Sequence, residues 1–298
     1  MEKNNFKKVQ QVLFIILIAN LLVAVLKIVI GSIIKSASMT ADGFHSLSDG
    51  SSNVVGLIGI QLASKPKDKD HPYGHYKFET LSGLFISAML FLVGGKVIVS
   101  AIDRFKNPLI PDITIESLII LIVTLFINIF VSAIEYKKGK ELKSQILISD
   151  SMHTRSDIYV SIGVFVTLVS VKLGLPPIVD PIVSLVVSGF IIHAAYEIFR
   201  ENSDVLIDRS AVDTEVIRNI VMNFEDVKDT HNIRSRGSIT NLYIDLHILV
   251  DSKLSIEKSH NLVHDIEEDI KVKVSENAQV IAHVEPYKEI NSEKSIIY

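Results

Sequence analysis

Histidine and aspartate recur four residues apart at two places in the chain, as His45 with Asp49 and as His153 with Asp157. Each pair lies within or beside a long apolar stretch, and a spacing of four places both side chains on one face of a helix. Ionisable groups at membrane depth are costly, so they usually face a protein interior or a water-filled path. Two imidazoles and two carboxylates supply four nitrogen and oxygen ligands, the number that a tetrahedral zinc-like ion takes. The pattern therefore predicts a metal ion held inside a membrane.

The two histidines have an alternative explanation as buried, hydrogen-bonded residues that fix the packing between two helices. The repetition of the same pair on two apolar stretches favours the metal site, because such clusters are costly at membrane depth unless they are used. Asp42 lies on the same helical face as the first pair. We interpret Asp42 as an accessory acid that orients a histidine ring; the alternative is an acid stabilised by the dipole at a helix N-terminus.

A second group of candidate ligands lies in the stretch 68–79, between two apolar segments. The stretch contains Asp68, Asp70, His71 and His75, followed by Lys77 and Glu79. Pro72 and Gly74 permit a tight turn that brings the two histidines together. The stretch therefore predicts a metal site at the membrane surface, with an ordinary solvated polar loop as the alternative.

A third group occupies the charged C-terminal part of the chain and consists of His231, His247, His260, His264, His283 and Glu285. His283 and Glu285 share one face of a predicted strand, because they are two residues apart. His260 and His264 share one face of a predicted helix, because they are four residues apart. On spacing alone, zinc binding and scattered surface histidines explain this group equally well.

The composition places most of the chain in a membrane. Of the 298 residues, 48% are hydrophobic and the mean hydropathy is +0.37, which is too apolar for an ordinary soluble domain. The net charge of -4 provides no basic field for nucleic acid. The absence of cysteine excludes disulfides and thiolate ligands. The lysine-rich N-terminus precedes an apolar run that we interpret as a first membrane helix rather than a cleaved signal.

Six apolar stretches approach the length of about 20 residues that a bilayer requires. They cover residues 12–34, 39–62, 81–101, 115–133, 146–173 and 179–198. The second and fifth stretches are the least apolar and carry the two His/Asp pairs, as expected of helices that the other four shield from lipid. Lysines cluster at the N-terminus, in the second-to-third loop and in the fourth-to-fifth loop. By the positive-inside rule, both termini are predicted to lie in the cytoplasm.

From about residue 208 the apolar runs give way to a charged pattern typical of a soluble domain. Its spacing predicts elements at 214–224 (helix), 227–235 and 239–250 (strands joined by a turn at Gly237), 256–272 (helix) and 278–284 (strand). This order predicts a small α+β domain with helices on one face of a short sheet. The predicted organisation is a transmembrane domain (1–207), a cytoplasmic domain (208–288) and a C-terminal tail (289–298).

These motifs, in this order, resemble the cation diffusion facilitator family, and closely its bacterial zinc and ferrous-iron efflux members. The resemblance covers nearly the whole chain: the six spans, the His-Pro-Tyr-Gly-His loop at 71–75, the Leu-Ile-Asp-Arg segment at 206–209 and the histidine-containing tail. It implies a homodimer in the cell membrane whose C-terminal domains are metallochaperone-like and ferredoxin-like. The expected partners are a second copy of the chain, the lipid bilayer, divalent metal ions and protons, and not nucleic acid.

Matching motif positions carry the family's functional residues over to this chain. The transport site falls on His45, Asp49, His153 and Asp157, the loop site on Asp68, His71 and His75, and the tail sites on His231, His247, His260, His283 and Glu285. Glu285 is a departure, because many relatives have aspartate there, and Val284 replaces a residue that is polar in some of them. Lys77 and Asp208 match positions that form a charge interlock between protomers.

The resemblance implies export of a divalent cation from the cytoplasm in exchange for protons, with metal at the tail regulating transport. Two nitrogens and two oxygens suit zinc, with cadmium, iron(II), cobalt and nickel as further cargoes. A manganese- or iron-selective exporter is the nearest alternative, although the histidines disfavour manganese. An intramembrane metal-dependent hydrolase is less favoured, because four protein ligands leave no open position on the metal. A metal sensor without transport is a third alternative.

Overall fold

The structure is a computed structural model that describes residues 3–33, 50, 52–106, 115–176, 178–238 and 241–287. The chain forms two compact units, Glu2–Ser203 and Asp204–Tyr298. Long helices build the first unit, whereas the second combines two helices with a sheet in its described part.

The described helices of the first unit follow one another along the chain. They are α1 Lys3–Ile33, α2 Ser52–Ala63, α3 Lys77–Lys106, α4 Ile115–Leu142, α5 Gln145–Lys172 and α6 Val179–Leu206. Helix is the structure expected of an apolar chain in lipid, because it satisfies the backbone hydrogen bonds within the segment itself. Helices α1, α3, α4 and α6 run several residues beyond the predicted spans, since polar flanking residues continue the same hydrogen-bonding pattern.

Three stretches within the described residues are long and apolar enough to cross a membrane: Asn5–Leu26, Lys77–Lys106 and Pro181–Leu206. They overlap the first, third and sixth predicted spans and confirm a membrane domain. Large apolar side chains on their surfaces are exposed, for example Phe85 and Phe190, which is typical of helices that face lipid. The second, fourth and fifth spans stay predictions; the described part of α2 is short, and α5 carries several ionisable residues.

The α4–α5 hairpin positions the helix that carries one predicted His/Asp pair. Its turn contains Lys143, which has a positive φ of 52°, and Ser144, whose N–H donates to the carbonyl of Gly139 at 2.9 Å. Glu79 of α3 accepts hydrogen bonds from the Ser144 hydroxyl at 2.6 Å and from the Ile146 N–H at 3.3 Å. These bonds fix the N-terminus of α5 against α3, because a carboxylate satisfies donors that the first turn of a helix leaves unpaired.

The elements of the second unit are α7 Thr214–Val221, β1 Val227–Ser238, β2 Asn241–Asp251, α8 Ile256–Lys273 and β3 Gln279–Tyr287. Capping side chains begin both helices: Asp213 accepts the Glu215 N–H at 3.0 Å, and Ser255 accepts the Lys258 N–H at 3.3 Å. The sheet order is β1-β2-β3, with β1 antiparallel and β3 parallel to β2. The parallel pair is joined by the crossover helix α8.

The core of the second unit lies between the sheet and the two helices. Leu246 and Ile248 of β2 are buried in one cluster with Ile217 of α7 and Ile266 of α8. Because side chains alternate along a strand, the residues between them, His247 included, lie on the opposite face. The predicted order of helices and strands in this domain is therefore confirmed, as is the placement of both helices on one face.

The predicted turn at Gly237 is wrong in position. Gly237 still pairs with Leu242, and Ser238 pairs with Asn241, so the hairpin continues past the glycine. The glycine is nevertheless required, because its φ is +97° and a Cβ at this position would lie 2.1 Å from the carbonyl oxygen of Asn241.

Candidate metal sites

The loop between α2 and α3 brings Asp68, His71 and His75 into one cluster, which we call the loop site. Asp68 Oδ1 lies 3.1 Å from His71 Nδ1, and Asp68 Oδ2 lies 3.3 Å from His75 Nε2. The two rings are 4.2 Å apart between centroids. Gly74, with a φ of +95°, makes the turn between the histidines. Two imidazoles and one carboxylate are a three-ligand set for a zinc-like ion that keeps one further coordination position.

The loop site is open to water on one side only. His75 is buried, whereas Asp68 and His71 are exposed. The backbone N–H of His71 donates to Asp68 at 2.7 Å. This hydrogen bond stabilises the carboxylate and is the main reason why the pKa of Asp68 lies below its ordinary value. The adjacent Asp70 contributes its backbone N–H to the same oxygen, at 3.1 Å. Asp68 is therefore an ionised ligand at neutral pH.

A second cluster lies on the sheet face opposite α7 and α8, and we call it the sheet site. His231 pairs with His247 across β1 and β2, and His247 pairs with His283 across β2 and β3. Their rings follow each other at centroid distances of 5.1 and 4.9 Å. Glu285 Oε1 lies 2.8 Å from His247 Nδ1, and Glu285 Oε2 lies 3.6 Å from His231 Nε2. His231, His247 and Glu285 thus present ligand atoms within 4.8 Å of one another.

A bulge beside the sheet site directs His231. The pairing between β1 and β2 shifts between His231 and Arg234, and Asn232 has a positive φ of 49°. An extra residue in one strand locally increases the twist and re-aims neighbouring side chains. Glu285 reaches both His231 and His247 through its two carboxylate oxygens.

His260 lies apart from the sheet site of its own chain. It belongs to α8, which packs on the other face of the sheet. Its ring is 4.5 Å from that of His264, and His264 Nδ1 lies 3.6 Å from Glu267. A role for His260 at the sheet site therefore requires a second copy of the chain and stays a prediction.

The membrane site is described for one of its two predicted pairs. His153 of α5 is only 4% exposed, and neither of its ring nitrogens has a hydrogen-bond partner among the residues that the structure describes. Asp157 lies one turn further along the same helix. The other predicted pair, His45 and Asp49, lies outside the described residues, as does Asp42.

Lys77 and Asp208, the predicted interlock residues, belong to different units. Lys77 begins α3. Asp208 has a positive φ of 55° and lies 3.5 Å from the guanidinium of Arg236 within the second unit. The interlock between protomers stays a prediction.

Two buried acids near His153 do not figure among the predicted site residues. Glu135 of α4 and Asp150 of α5 are both 0% exposed. Asp150 precedes His153 by three residues, a spacing that places both on one helix face and that the sequence shows. Glu135 gives no such signal, because it follows the predicted fourth span and resembles the start of a polar loop.

Comparisons with known proteins match both units. The family model described as "Cation efflux transmembrane domain" matches residues 13–207, and the one described as "Cation efflux protein, cytoplasmic domain" matches residues 210–287. An uncharacterised transporter of Methanocaldococcus jannaschii is 31% identical over 281 residues, which cover 94% of this chain and 96% of that protein. The metal tolerance protein C1 of Arabidopsis thaliana is 31% identical, over 91% of this chain and 61% of that protein. The manganese efflux system protein MneS of Bacillus subtilis is 29% identical, over 94% of this chain and 96% of that protein.

Proposed function

The chain belongs to the cation efflux family, whose members are transporters and not enzymes, and we propose that it exports zinc from the cytoplasm in exchange for protons. The observation that carries this proposal is the imidazole of His153, which is buried and has no partner among the described residues. Buried polar groups usually have a hydrogen-bond partner, so a ring of this kind is suited to bind a ligand. Ionisable residues inside a membrane domain are functional by default.

The proposed transport site combines His153 and Asp157 with His45 and Asp49. Two imidazole nitrogens and two carboxylate oxygens suit a tetrahedral zinc ion, and the two carboxylates offset its charge away from water. Proton exchange follows from the ligand chemistry, because an imidazole must lose its proton before it binds a metal. Protonation of the rings on the far side of the membrane then releases the ion, and alternating access exposes the site to each side in turn.

The proposed assembly is a homodimer with six spans per chain and both termini in the cytoplasm. The description of the second family domain as cytoplasmic and the lysine-rich loops support this orientation. The proposed limits are 1–207 for the membrane domain and 208–288 for a ferredoxin-like domain, with 289–298 as the tail. Lys77 and Asp208 would link the protomers, and zinc at the loop and sheet sites would regulate transport.

Manganese is the second candidate cargo. A relative with 29% identity over nearly the whole chain is a manganese efflux protein, and manganese accepts carboxylate oxygen readily. The two histidines of the proposed transport site favour zinc, because imidazole ranks with zinc rather than with manganese in ligand preference.

Flux measurements with the full-length protein in liposomes test the proposal. With a zinc-sensitive dye inside the vesicles and a pH gradient across them, we expect His153→Ala and Asp157→Asn each to lower flux at least about tenfold. His193→Ala is the matched control, because this histidine of α6 has a side chain that is 70% exposed. Zinc flux that persists in His153→Ala would contradict the transport site. A manganese flux that exceeds the zinc flux would show that manganese, and not zinc, is the cargo.

A further inference from the structure

Glu135 of α4 and Asp150 of α5 place two carboxyl groups against each other inside the first unit, and we call them the acid pair. Both residues are 0% exposed, and each side chain interacts directly with the other. The acid pair also adjoins the proposed transport site. Asp150 interacts electrostatically with His153, and Glu135 with Asp157.

Side chains from several helices hold the acid pair in place. Thr154 Oγ1 donates to Glu135 Oε2 at 2.9 Å. Asn53 of α2 donates to Asp150 Oδ2, and Asn20 of α1 donates to Asn53 at 2.9 Å. The remaining carboxyl oxygens, Glu135 Oε1 and Asp150 Oδ1, are buried without a hydrogen-bond donor from the rest of the described chain, and the two carboxyl groups contact each other. Helices α1, α2, α4 and α5 thus converge on two carboxyl groups that each retain one available ligand atom.

A purely structural network does not require this arrangement. Two buried carboxyl groups in contact cannot both stay ionised on their own. They either share a proton or hold a metal ion between them. Amides or hydroxyls would join the same helices at a lower desolvation cost. The neighbouring His153 ring is itself buried with both nitrogens unpartnered among the described residues. The acid pair therefore adjoins a histidine ring that is also available as a ligand, with Asp150 and His153 on one face of α5.

We propose that the acid pair is a second binding site for the transported divalent cation, on the side of His153 nearer the α4–α5 turn. This inference rests on the proposed transport function and adds a step to its path. Asp150 precedes His153 by three residues, about 4.5 Å of helix rise, so the cation moves between the two sites in one short step. Two oxygens bind a transition metal less tightly than a set with imidazole, so the acid pair passes the ion on to the histidine site.

The number of zinc ions bound per chain tests the acid pair directly. Equilibrium dialysis of the purified full-length protein at saturating zinc is expected to show one equivalent fewer in Glu135→Gln and in Asp150→Asn. His153→Ala is expected to lose a different equivalent, so that the Glu135→Gln/His153→Ala double variant loses both. In vesicles, Glu135→Gln is expected to raise the KM for zinc at least about tenfold. Asp150→Asn serves as the second variant if Glu135→Gln does not fold.

Glu141→Gln is the matched control, because Glu141 lies on the same helix as Glu135 with a side chain that is 45% exposed. The inference is overturned if both acid-pair variants keep the full zinc count and an unchanged KM, since the pair would then only hold a proton or fix packing. It is also overturned if the double variant loses one equivalent, because Glu135 would then be a ligand of the histidine site. Absence of zinc flux in the parent protein would contradict the transport function itself, whatever the acid pair does, whereas normal flux in His153→Ala would contradict only the assignment of the histidine site.

Discussion

Asp68 organises the loop site through both of its carboxylate oxygens. One oxygen accepts backbone N–H groups and faces His71, while the other faces His75. The His71 N–H is the main cause that lowers the pKa of Asp68 from its ordinary value of 3.8. A lowered pKa means that the folded loop favours the ionised form of Asp68. The carboxylate is protonated only when the pH falls below this lowered pKa. Asp68 therefore does not titrate in the range in which imidazoles do.

We predict that Asp68→Asn weakens zinc binding at the loop site at least about tenfold but leaves that binding dependent on pH. The amide removes the anionic ligand. The loss of binding as the pH falls comes instead from protonation of the imidazoles, which must be neutral to bind a metal. Zinc titration calorimetry at several pH values measures both quantities in a Glu135→Gln/His153→Ala/His247→Ala background, which lacks the other proposed zinc sites.

Asp70→Asn is the control for Asp68→Asn, because Asp70 contributes a backbone N–H to the cluster rather than its carboxylate. We expect Asp70→Asn to keep the affinity within about twofold of the background. Zinc binding that no longer weakens as the pH falls in Asp68→Asn would show that this carboxylate, and not the imidazoles, causes the pH dependence, contrary to its lowered pKa.

Residue types and local spacing predicted that His71 and His75 lie close together, whereas the grouping of His231 and His247 with Glu285 came from the family resemblance, because it depends on strand pairing. The turn between His71 and His75 is encoded by Pro72 and Gly74 within the same stretch. Glu135 could not be predicted in this way. Its burial depends on Asp150 and Thr154 of another helix, and no local pattern in α4 distinguishes it from the first residue of a polar loop.

At the scale of helices, Glu79 connects α3, which follows the loop site, with α5, which carries His153. It lies one turn after His75, at the start of α3, and it is buried. Its carboxylate accepts the Ser144 hydroxyl and the Ile146 N–H at the start of α5. The helix that follows the loop site is thereby bonded to the helix that carries His153.

We predict that Glu79→Ala lowers the free energy of unfolding by about 1–3 kcal/mol, because it leaves two buried donors without an acceptor. A lower thermal midpoint of the purified full-length protein measures this loss. Glu79→Gln should recover part of it, since the amide oxygen still accepts a hydrogen bond. Glu141→Ala is the control, because Glu141 is an exposed glutamate of α4. Equal midpoints for Glu79→Ala and Glu141→Ala would show that the bonds to α5 contribute nothing measurable.

The strands of the second unit show that local sequence patterns predict the order of the elements but not where each strand ends. The pattern predicts the order and type of every helix and strand in the second unit, because alternation and helical period are local properties. It does not predict that β1 continues to Ser238, or that the ladder shifts beside His231. Both features depend on pairing with β2, which local residue preferences do not encode.

At the scale of the whole molecule, the alternation of basic and apolar segments indicates how the chain crosses the bilayer. The stretches that precede α3 and α5 are rich in lysine, including Lys67 and Lys137. The connection between α5 and α6 contains Leu175, which is 49% exposed, in a stretch without such a cluster. If all six spans cross, the first two positions face the cytoplasm and the third faces the opposite side.

Cysteine labelling tests this topology without background, because the chain contains no cysteine. We predict that a membrane-impermeant maleimide added to intact cells labels Leu175→Cys. Lys67→Cys, Lys137→Cys and Lys253→Cys should react only after the membrane is opened, since each replaces an exposed lysine on the cytoplasmic side. The cysteine-free parent controls for unspecific labelling. Labelling of Lys137→Cys in intact cells would show that α4 does not cross back, and labelling of Lys253→Cys would place the C-terminal domain outside. Either result would place a segment predicted to be cytoplasmic on the outside of the cell and would contradict the proposed orientation.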